Sequence, residues 1–278
     1  MLKKAYLEIS NVCNLDCEFC HGTKRRKKLM NKDEFESAAK ALVGHTEYLY
    51  FHLMGEPLLH PELAAFFEIA AKLDFKVIIT TNGTLLKEKG DILISAPALH
   101  KVSISLHCYE ANNMKMSTEE YLSDCFEFCK NASAMGKICV LRLWNIGGME
   151  SLNEKILNSI KEKFGDEWKK TYSGFKVCDK VFIEWGDRFE WPDENAEFCS
   201  DRHTCYGLRD QVGVLCDGTV VPCCLDADGV INLGNIFEES LSEILEKPRA
   251  VALKKSFENR NITEPLCQRC GFATTRLK

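Results

Sequence analysis

Cys13, Cys17 and Cys20 fall within one short run at the spacing C-x3-C-x2-C. Three thiolates on one loop can hold three irons of a [4Fe–4S] cube and leave the fourth iron open for a substrate or cofactor. A zinc ion would want a fourth local ligand, which His21 could supply. A second set lies far along the chain, where Cys205 and Cys223, then Cys267 and Cys270, give four thiols. These suffice to close a second cube or to hold zinc tetrahedrally. Directly after the first set come Lys24, Arg25, Arg26, Lys27 and Lys28. Such a run is either a solvated loop or a clamp for a phosphate or carboxylate on a substrate. Glu184 and Asp187, with Trp185 and Trp191 nearby, offer carboxylates and aromatic faces. They suit stacking and edge recognition of a purine-like base, or they cover the core as a lid.

The rest of the composition narrows the setting. Fifteen cysteines in 278 residues cannot all pair as disulfides, and a chain of this length can bury most of its surface without staples. Thiol-rich sequences without export signals point to a reducing compartment and to metal or redox chemistry, so a cytoplasmic location is expected. At 45% hydrophobic and 28% charged the chain has a globular composition rather than a disordered one. No apolar run reaches membrane-spanning length. Thirty-six Lys and Arg against 41 Asp and Glu leave a net charge of −5, which disfavours a polymeric nucleic acid as a direct partner.

The elements that must position these residues read as repeated βα units. Strands are expected at Lys4–Ile9, Tyr48–Leu53, Lys76–Thr80, Lys101–Leu106, Lys137–Trp144 and Lys180–Trp185, each short and rich in β-formers. Helical periodicity fills Asp33–Val43 and Pro61–Leu73, and Ser117 opens a capped helix that runs from Tyr121 to Met135, with Gly136 just past its end. The first cysteine set follows the first strand at once. It therefore sits at the C-terminal mouth of a parallel sheet, where α/β folds place their chemistry. Asp217-Gly218 between Val212–Leu215 and Thr219–Val221 signals a hairpin, and a helix follows around Ser240–Lys255. The segments are thus 1–185, a linker or lid at 186–204, and a smaller unit at 205–278.

With its aromatic Phe19 just before the third cysteine and the βα series that follows, the chain resembles the radical S-adenosylmethionine (radical SAM) superfamily. The resemblance implies a partial (β/α)6 TIM-type barrel, with SAM chelated to the open iron and cleaved reductively to a 5′-deoxyadenosyl radical. Met54-Gly55-Glu56-Pro57 is similar to the family's second-strand Gly-Gly-Glu-Pro motif, with Met in place of the first glycine. It implies SAM contacts for Phe19, Gly55, Glu56, Asn82, Ser105 and Arg142. In the fourth-strand motif the usual Asp-Gly is replaced by His107-Cys108, which makes these either substrate-side residues or core fillers. The pattern from Cys205 to Cys270 resembles the shortened SPASM, or twitch, extension, an α+β hairpin unit that carries one auxiliary [4Fe–4S] cluster. Cys216 and Cys224 are spare thiols beside those ligands. Cys199 is unassigned, and Cys125, Cys129, Cys139 and Cys178 read as buried fillers. An electron donor such as flavodoxin or ferredoxin is implied as a partner.

The basic run and the acidic-aromatic stretch tilt the substrate toward a small, anionic, nucleoside-like molecule. The best reading is a lyase of queuosine type that frees the deazapurine base from a nucleoside 5′-phosphate. Alternatives are a peptide-modifying maturase and a non-catalytic, zinc-stapled binding protein.

Overall fold

A computed structural model describes residues 1–275. In chain order the elements are β1 (Lys4–Leu7), α1 (Lys32–Leu42), β2 (Tyr48–Tyr50), α2 (Leu63–Lys72), β3 (Lys76–Thr81), α3 (Leu86–Ser95), β4 (Leu99–Ser105), α4 (Thr118–Ala134), β5 (Ile138–Ile146) and α5 (Asn153–Phe164). There follow β6 (Lys169–Lys170), β7 (Gly174–Cys178), β8 (Val181–Asp187), β9 (Gln211–Val214), β10 (Thr219–Val221), β11 (Gly234–Asn235), α6 (Leu241–Glu246), α7 (Pro248–Glu258), α8 (Pro265–Gln268) and α9 (Gly271–Thr274). Strands β1 to β5 and then β8 pair side by side and parallel, the expected partial barrel.

The alternation of each strand decides what faces outward and what lines the lumen. Leu49, Val77, Val102, Ile104, Leu141 and Ile183 are buried against the helical layer. Lys4, Tyr6, Tyr50, Thr80, Lys101, Ser103, Arg142 and Glu184 take the other parity and line the lumen. Helix α1 starts where the sequence directs it: Asn31 accepts from the Glu34 amide while the Glu34 side chain accepts from the Asn31 amide, a reciprocal cap. Its apolar stripe, Phe35, Ala38, Ala39 and Leu42, is fully buried, with Phe35 stacked 4.2 Å from Phe66 of α2. Ser117 likewise caps α4, which presents Tyr121, Leu122, Cys125 and Cys129 to the core.

Two features depart from the sequence reading. The single helix expected around Ser240–Lys255 is two helices, because Pro248 cannot continue α6 and instead starts α7 at its first position. The C-terminal hairpin is present, but β9 also pairs in parallel with β1 from Lys4↔Gln211 to Leu7↔Val214. The smaller unit therefore extends the barrel sheet, whose order runs β11-β10-β9-β1-β2-β3-β4-β5-β8-β7-β6. Consequently β1, which leads into the first cysteine set, lies between barrel and hairpin. No helix among the described residues is long and apolar enough to cross a membrane.

Candidate active site

Cys13, Glu56, Asn82 and His107 follow the C-terminal ends of β1, β2, β3 and β4. The loop after β1 carries Cys13, Cys17 and Cys20, and each sulfur accepts from a nearby N–H. Leu15 N and Asn82 Nδ2 donate to Cys13 Sγ (3.5 and 3.9 Å), Asn112 Nδ2 to Cys17 Sγ (3.1 Å) and Gly22 N to Cys20 Sγ (3.5 Å). Donors aimed at sulfur favour its anionic form. Burial works against this, raising all three thiols, Cys17 to about 11. Three thiols on one loop, each supplied with an N–H donor, fit an iron cluster, whose positive charge would deprotonate them.

The turn after β2 explains the glycine of the second motif. Gly55 has φ +78°, and a Cβ there would lie 2.5 Å from Ser10 O and 2.9 Å from Val12 O. Its neighbour's amide, Glu56 N, donates to Val12 O at 2.8 Å, so this turn is pressed onto the cysteine loop. Met54, where the motif has its first glycine, is buried and donates its amide to Glu8 Oε1 at 3.2 Å. Glu56 itself is buried, and desolvation pushes its carboxyl up. Three donors hold it: Leu58 N (3.0 Å), Thr81 Oγ1 (2.8 Å) and Asn82 N (2.7 Å). It thereby ties the β2 turn to the β3 turn that carries Asn82.

Below the cysteine loop the strands enclose a cavity of about 360 Å³. Phe19 and His107 meet at its mouth with ring centroids 4.8 Å apart. His107 is buried, which drives its imidazole down to about 4, and its Nδ1 lies 3.0 Å from Arg142 O. Deeper in, the Arg142 guanidinium lies flat over Trp144, 3.6 Å from the ring centroid, and reaches Thr80 Oγ1 at 3.5 Å. Desolvation lowers it to about 10, against the pull of Glu184. Lys4 sits over the Tyr6 and Tyr50 rings. Burial likewise pulls Lys101 below the ordinary lysine range. Arg142 Nε, Trp144 Nε1 and His52 Nδ1 are buried without a hydrogen-bond partner among the described residues. Arg188, Phe189 and Trp191 of the linker complete the wall.

The linker behaves as a strap between the two cysteine regions. Trp191 Nε1 donates to Phe19 O at 3.0 Å. On its other side Gly271 N donates to Glu190 O (3.1 Å), Cys199 N to Gln268 O (2.9 Å), and Phe189 packs against Phe272 at 5.0 Å. Cys205, Cys223, Cys267 and Cys270 converge there: Cys205 acts electrostatically on each of the other three, and burial raises Cys223, Cys267 and Cys270, the last to about 11. Gly207 N donates to Cys205 Sγ at 3.3 Å. No three such side chains among the described residues are gathered tightly enough for one metal ion.

Several sequence expectations are corrected by this geometry. Arg25 does not face substrate: Nη2 donates to both oxygens of Glu8 at 2.7 and 2.8 Å, and Nε donates to Ala227 O at 2.8 Å. Lys24 pairs with Asp193 at 3.1 Å, and its amide donates to Asp228. Arg26 is exposed, and none of the three lines the cavity. Arg25 and the Lys24 amide tie the loop after the cysteines to Ala227 and Asp228 of the hairpin unit, away from the cavity wall. Asp187 is also absent from the cavity wall, because strand alternation turns it outward and leaves Glu184 inside. Trp185 packs outside against Phe175. Cys108 is a core thiol that donates to Asn82 O, and Cys125, Cys129 and Cys139 are fully buried fillers as expected, whereas Cys178 is half-buried. Arg142 lies with the lumen residues, beside Glu184, rather than with Glu56 and Asn82 at the cysteine loop.

Glu8 went unnoticed in the sequence. It is fully buried and accepts from Arg25, Met54 N and Cys216 N, the last at 3.1 Å. One carboxylate thus joins the post-cysteine loop, the β2 turn and the hairpin. The signal that could have found it is a lone acid directly after a short strand and among apolar residues, which must have a cationic partner if it is buried.

Residues 7–170 match the radical SAM superfamily model, and residues 205–271 match an iron–sulfur cluster-binding domain. Among curated proteins, the chain is 25% identical to a probable GTP 3′,8-cyclase of Methanocaldococcus jannaschii, covering 84% of this chain and 88% of that one. It is 32% identical to a tungsten-containing aldehyde ferredoxin oxidoreductase cofactor-modifying protein of Pyrococcus furiosus, over 32% of this chain and 26% of the relative. Among solved structures, BtrN in complex with AdoMet and 2-DOIA superposes with a TM-score of 0.56 at 16% identity, covering 97% of this chain and 93% of that one. Streptococcus suis SuiB bound to S-adenosylmethionine gives 0.66 at 16% identity, over 91% and 68%.

Proposed function

The chain belongs to the radical SAM superfamily, and from that premise we propose that it takes hydrogen from a small, anionic, nucleoside-like substrate, acting best as a lyase that frees queuine from queuosine 5′-phosphate. Its cofactors are SAM and [4Fe–4S] clusters. The observation that carries the substrate reading is the lumen. In a protein of net charge −5, the cavity wall gathers Lys4, Lys101 and Arg142, with Arg188 at its edge paired to Glu18, against the single carboxylate of Glu184. Flat faces from Trp144, Phe189 and Trp191 stand beside these charges. A planar base fits between aromatic walls, and the surplus cations complement an anionic group. The similar proteins named GTP 3′,8-cyclase add support, since their name specifies a purine nucleotide.

In this reading Cys13, Cys17 and Cys20 hold the cluster, and Phe19, Gly55, Glu56, Asn82 and Ser105 surround SAM. When bound and reduced by a donor of flavodoxin or ferredoxin type, the pair supplies a carbon radical able to take hydrogen from unactivated C–H. The protein's own part is positioning. Gly55 lets the β2 turn touch the cysteine loop, Glu56 fixes the Asn82 turn, and the Trp191 tether brings the strap over Phe19 to exclude water. His107, neutral because it is buried, packs against Phe19 without adding charge at the mouth. Cys205, Cys223, Cys267 and Cys270 would hold the auxiliary cluster. The test is anaerobic incubation of reduced enzyme with SAM and queuosine 5′-phosphate. Free queuine formed together with 5′-deoxyadenosine supports the reading, and 5′-deoxyadenosine without base release from this nucleotide overturns it.

A further inference from the structure

Arg142 of β5 and Glu184 of β8 are register partners on adjacent parallel strands. Both line the lumen, and Ser105 of β4 continues the row. Opposite charges at such positions, with backbones about 4.8 Å apart, ordinarily close into an ion pair. Here they do not, and the guanidinium instead lies over Trp144, 3.6 Å from the ring centroid. Glu184 lies in the electrostatic field of both Arg142 and Lys101 without a closed ion pair, and Arg142 Nε is buried without a hydrogen-bond partner among the described residues. The wall thus sets a two-oxygen acceptor beside two cations, one of them lying over the Trp144 ring. The buried, unpartnered Arg142 Nε and Trp144 Nε1 beside this wall are costly unless something completes them.

We propose that Glu184, Arg142 and Lys101 form a base-reading site for a 2-amino-lactam, the hydrogen-bonding edge of guanine and of 7-deazaguanine. This rests on the nucleoside reading given above and adds which face of the base is read. The lactam N–H and the neighbouring amino group donate to the two oxygens of Glu184. The lactam oxygen accepts from Arg142 or Lys101, the same donor types that pair with guanine O6 in nucleic acids. Trp144 is already occupied on one face by Arg142, so guanidinium and ring act as one rigid platform. Adenine reverses the pattern, setting its amino group against the cations and an unprotonated ring nitrogen against the carboxylate. Hypoxanthine keeps the lactam but lacks the amino donor. A site built to satisfy a donor leaves its own group unpaired when the donor is missing.

The experiment is equilibrium binding of guanosine, inosine and adenosine 5′-monophosphates to anaerobic holoenzyme with SAM and no reductant, so that no turnover occurs. The expected order is guanosine over inosine by roughly 10- to 100-fold, the loss of one charge-assisted bond, with adenosine weaker than both. Glu184→Gln, which keeps the shape but swaps one acceptor for a donor, is expected to bring the guanosine-to-inosine ratio below about threefold. Equal affinity for guanosine and adenosine nucleotides in the unaltered protein overturns the proposal whether or not the variant folds. A well-folded Glu184→Gln with an undiminished guanosine preference also overturns it. Base release from queuosine 5′-phosphate with a flat binding series would remove this inference and leave the lyase reading standing. The predicted series without any base release would do the reverse.

Discussion

Replacing Arg25 separates two roles that the sequence alone could not. Glu8 is fully buried, and four donations complete its carboxylate, two of them from Arg25. Arg25→Ala leaves the charge buried with only the amides of Met54 and Cys216. Breaking a buried pair in this way costs about 3–5 kcal/mol, against a total stability of about 5–15 kcal/mol. At roughly 2–4 °C per kcal/mol for a protein near this size, the melting temperature should fall by roughly 6–20 °C. Arg25→Lys keeps the charge but not the fork and should fall in between. In Glu8→Gln/Arg25→Ala the carboxylate and its partner are removed together, so the double variant should lose at least about 1 kcal/mol less than the sum of the single changes. The assay is anaerobic thermal and urea unfolding of the holoprotein, alongside KM for the nucleotide at a temperature where every variant is folded. A melting temperature within about 2 °C of the unaltered protein, combined with a tenfold rise in KM, would refute this reasoning and return Arg25 to the substrate.

Gly55→Ala should lower iron content and SAM binding together, because a Cβ at φ +78° would sit 2.5 Å from Ser10 O; metal analysis and equilibrium dialysis read both, and normal SAM affinity would remove the close approach from the account. Trp191→Phe deletes the donation to Phe19 O while keeping the ring, with about 1 kcal/mol at stake, and should loosen substrate binding several-fold more than it slows turnover; an unchanged KM would show that the strap needs no tether. His107 has a folded-state value near 4 against about 6.5 unfolded. The unfolded chain therefore binds the extra proton first, and stability present above pH 6.5 should be lost as pH falls from there toward 4. His107→Asn should flatten that slope in urea titrations at pH 5 and 7, whereas an identical slope would mean that this histidine does not drive it.

Much of the positioning was legible because it depends on local pattern. The strand ends carrying Cys13, Glu56, Asn82 and His107 follow from short alternating runs, and the reciprocal cap at Asn31 and Glu34 sits where α1 begins. What escaped depends on partners distant in sequence. Nothing in Lys24-Arg25-Arg26 says that Glu8 and Asp228 will consume its charges, and nothing in β9 says that it will add itself to β1. The same limit explains Asp187: strand parity, fixed by which neighbours pair, put Glu184 inside and left Asp187 out. The break at Pro248 is readable in the sequence, since proline starts helices and does not continue them.

The most direct test of the account is the reductive cleavage of SAM by anaerobically purified protein, measured with its iron and sulfide content in the same sample. The account predicts about eight irons per chain, as for two cubes, and 5′-deoxyadenosine whose formation rises when queuosine 5′-phosphate is added. Protein with zinc in place of iron and no 5′-deoxyadenosine under any condition would contradict it.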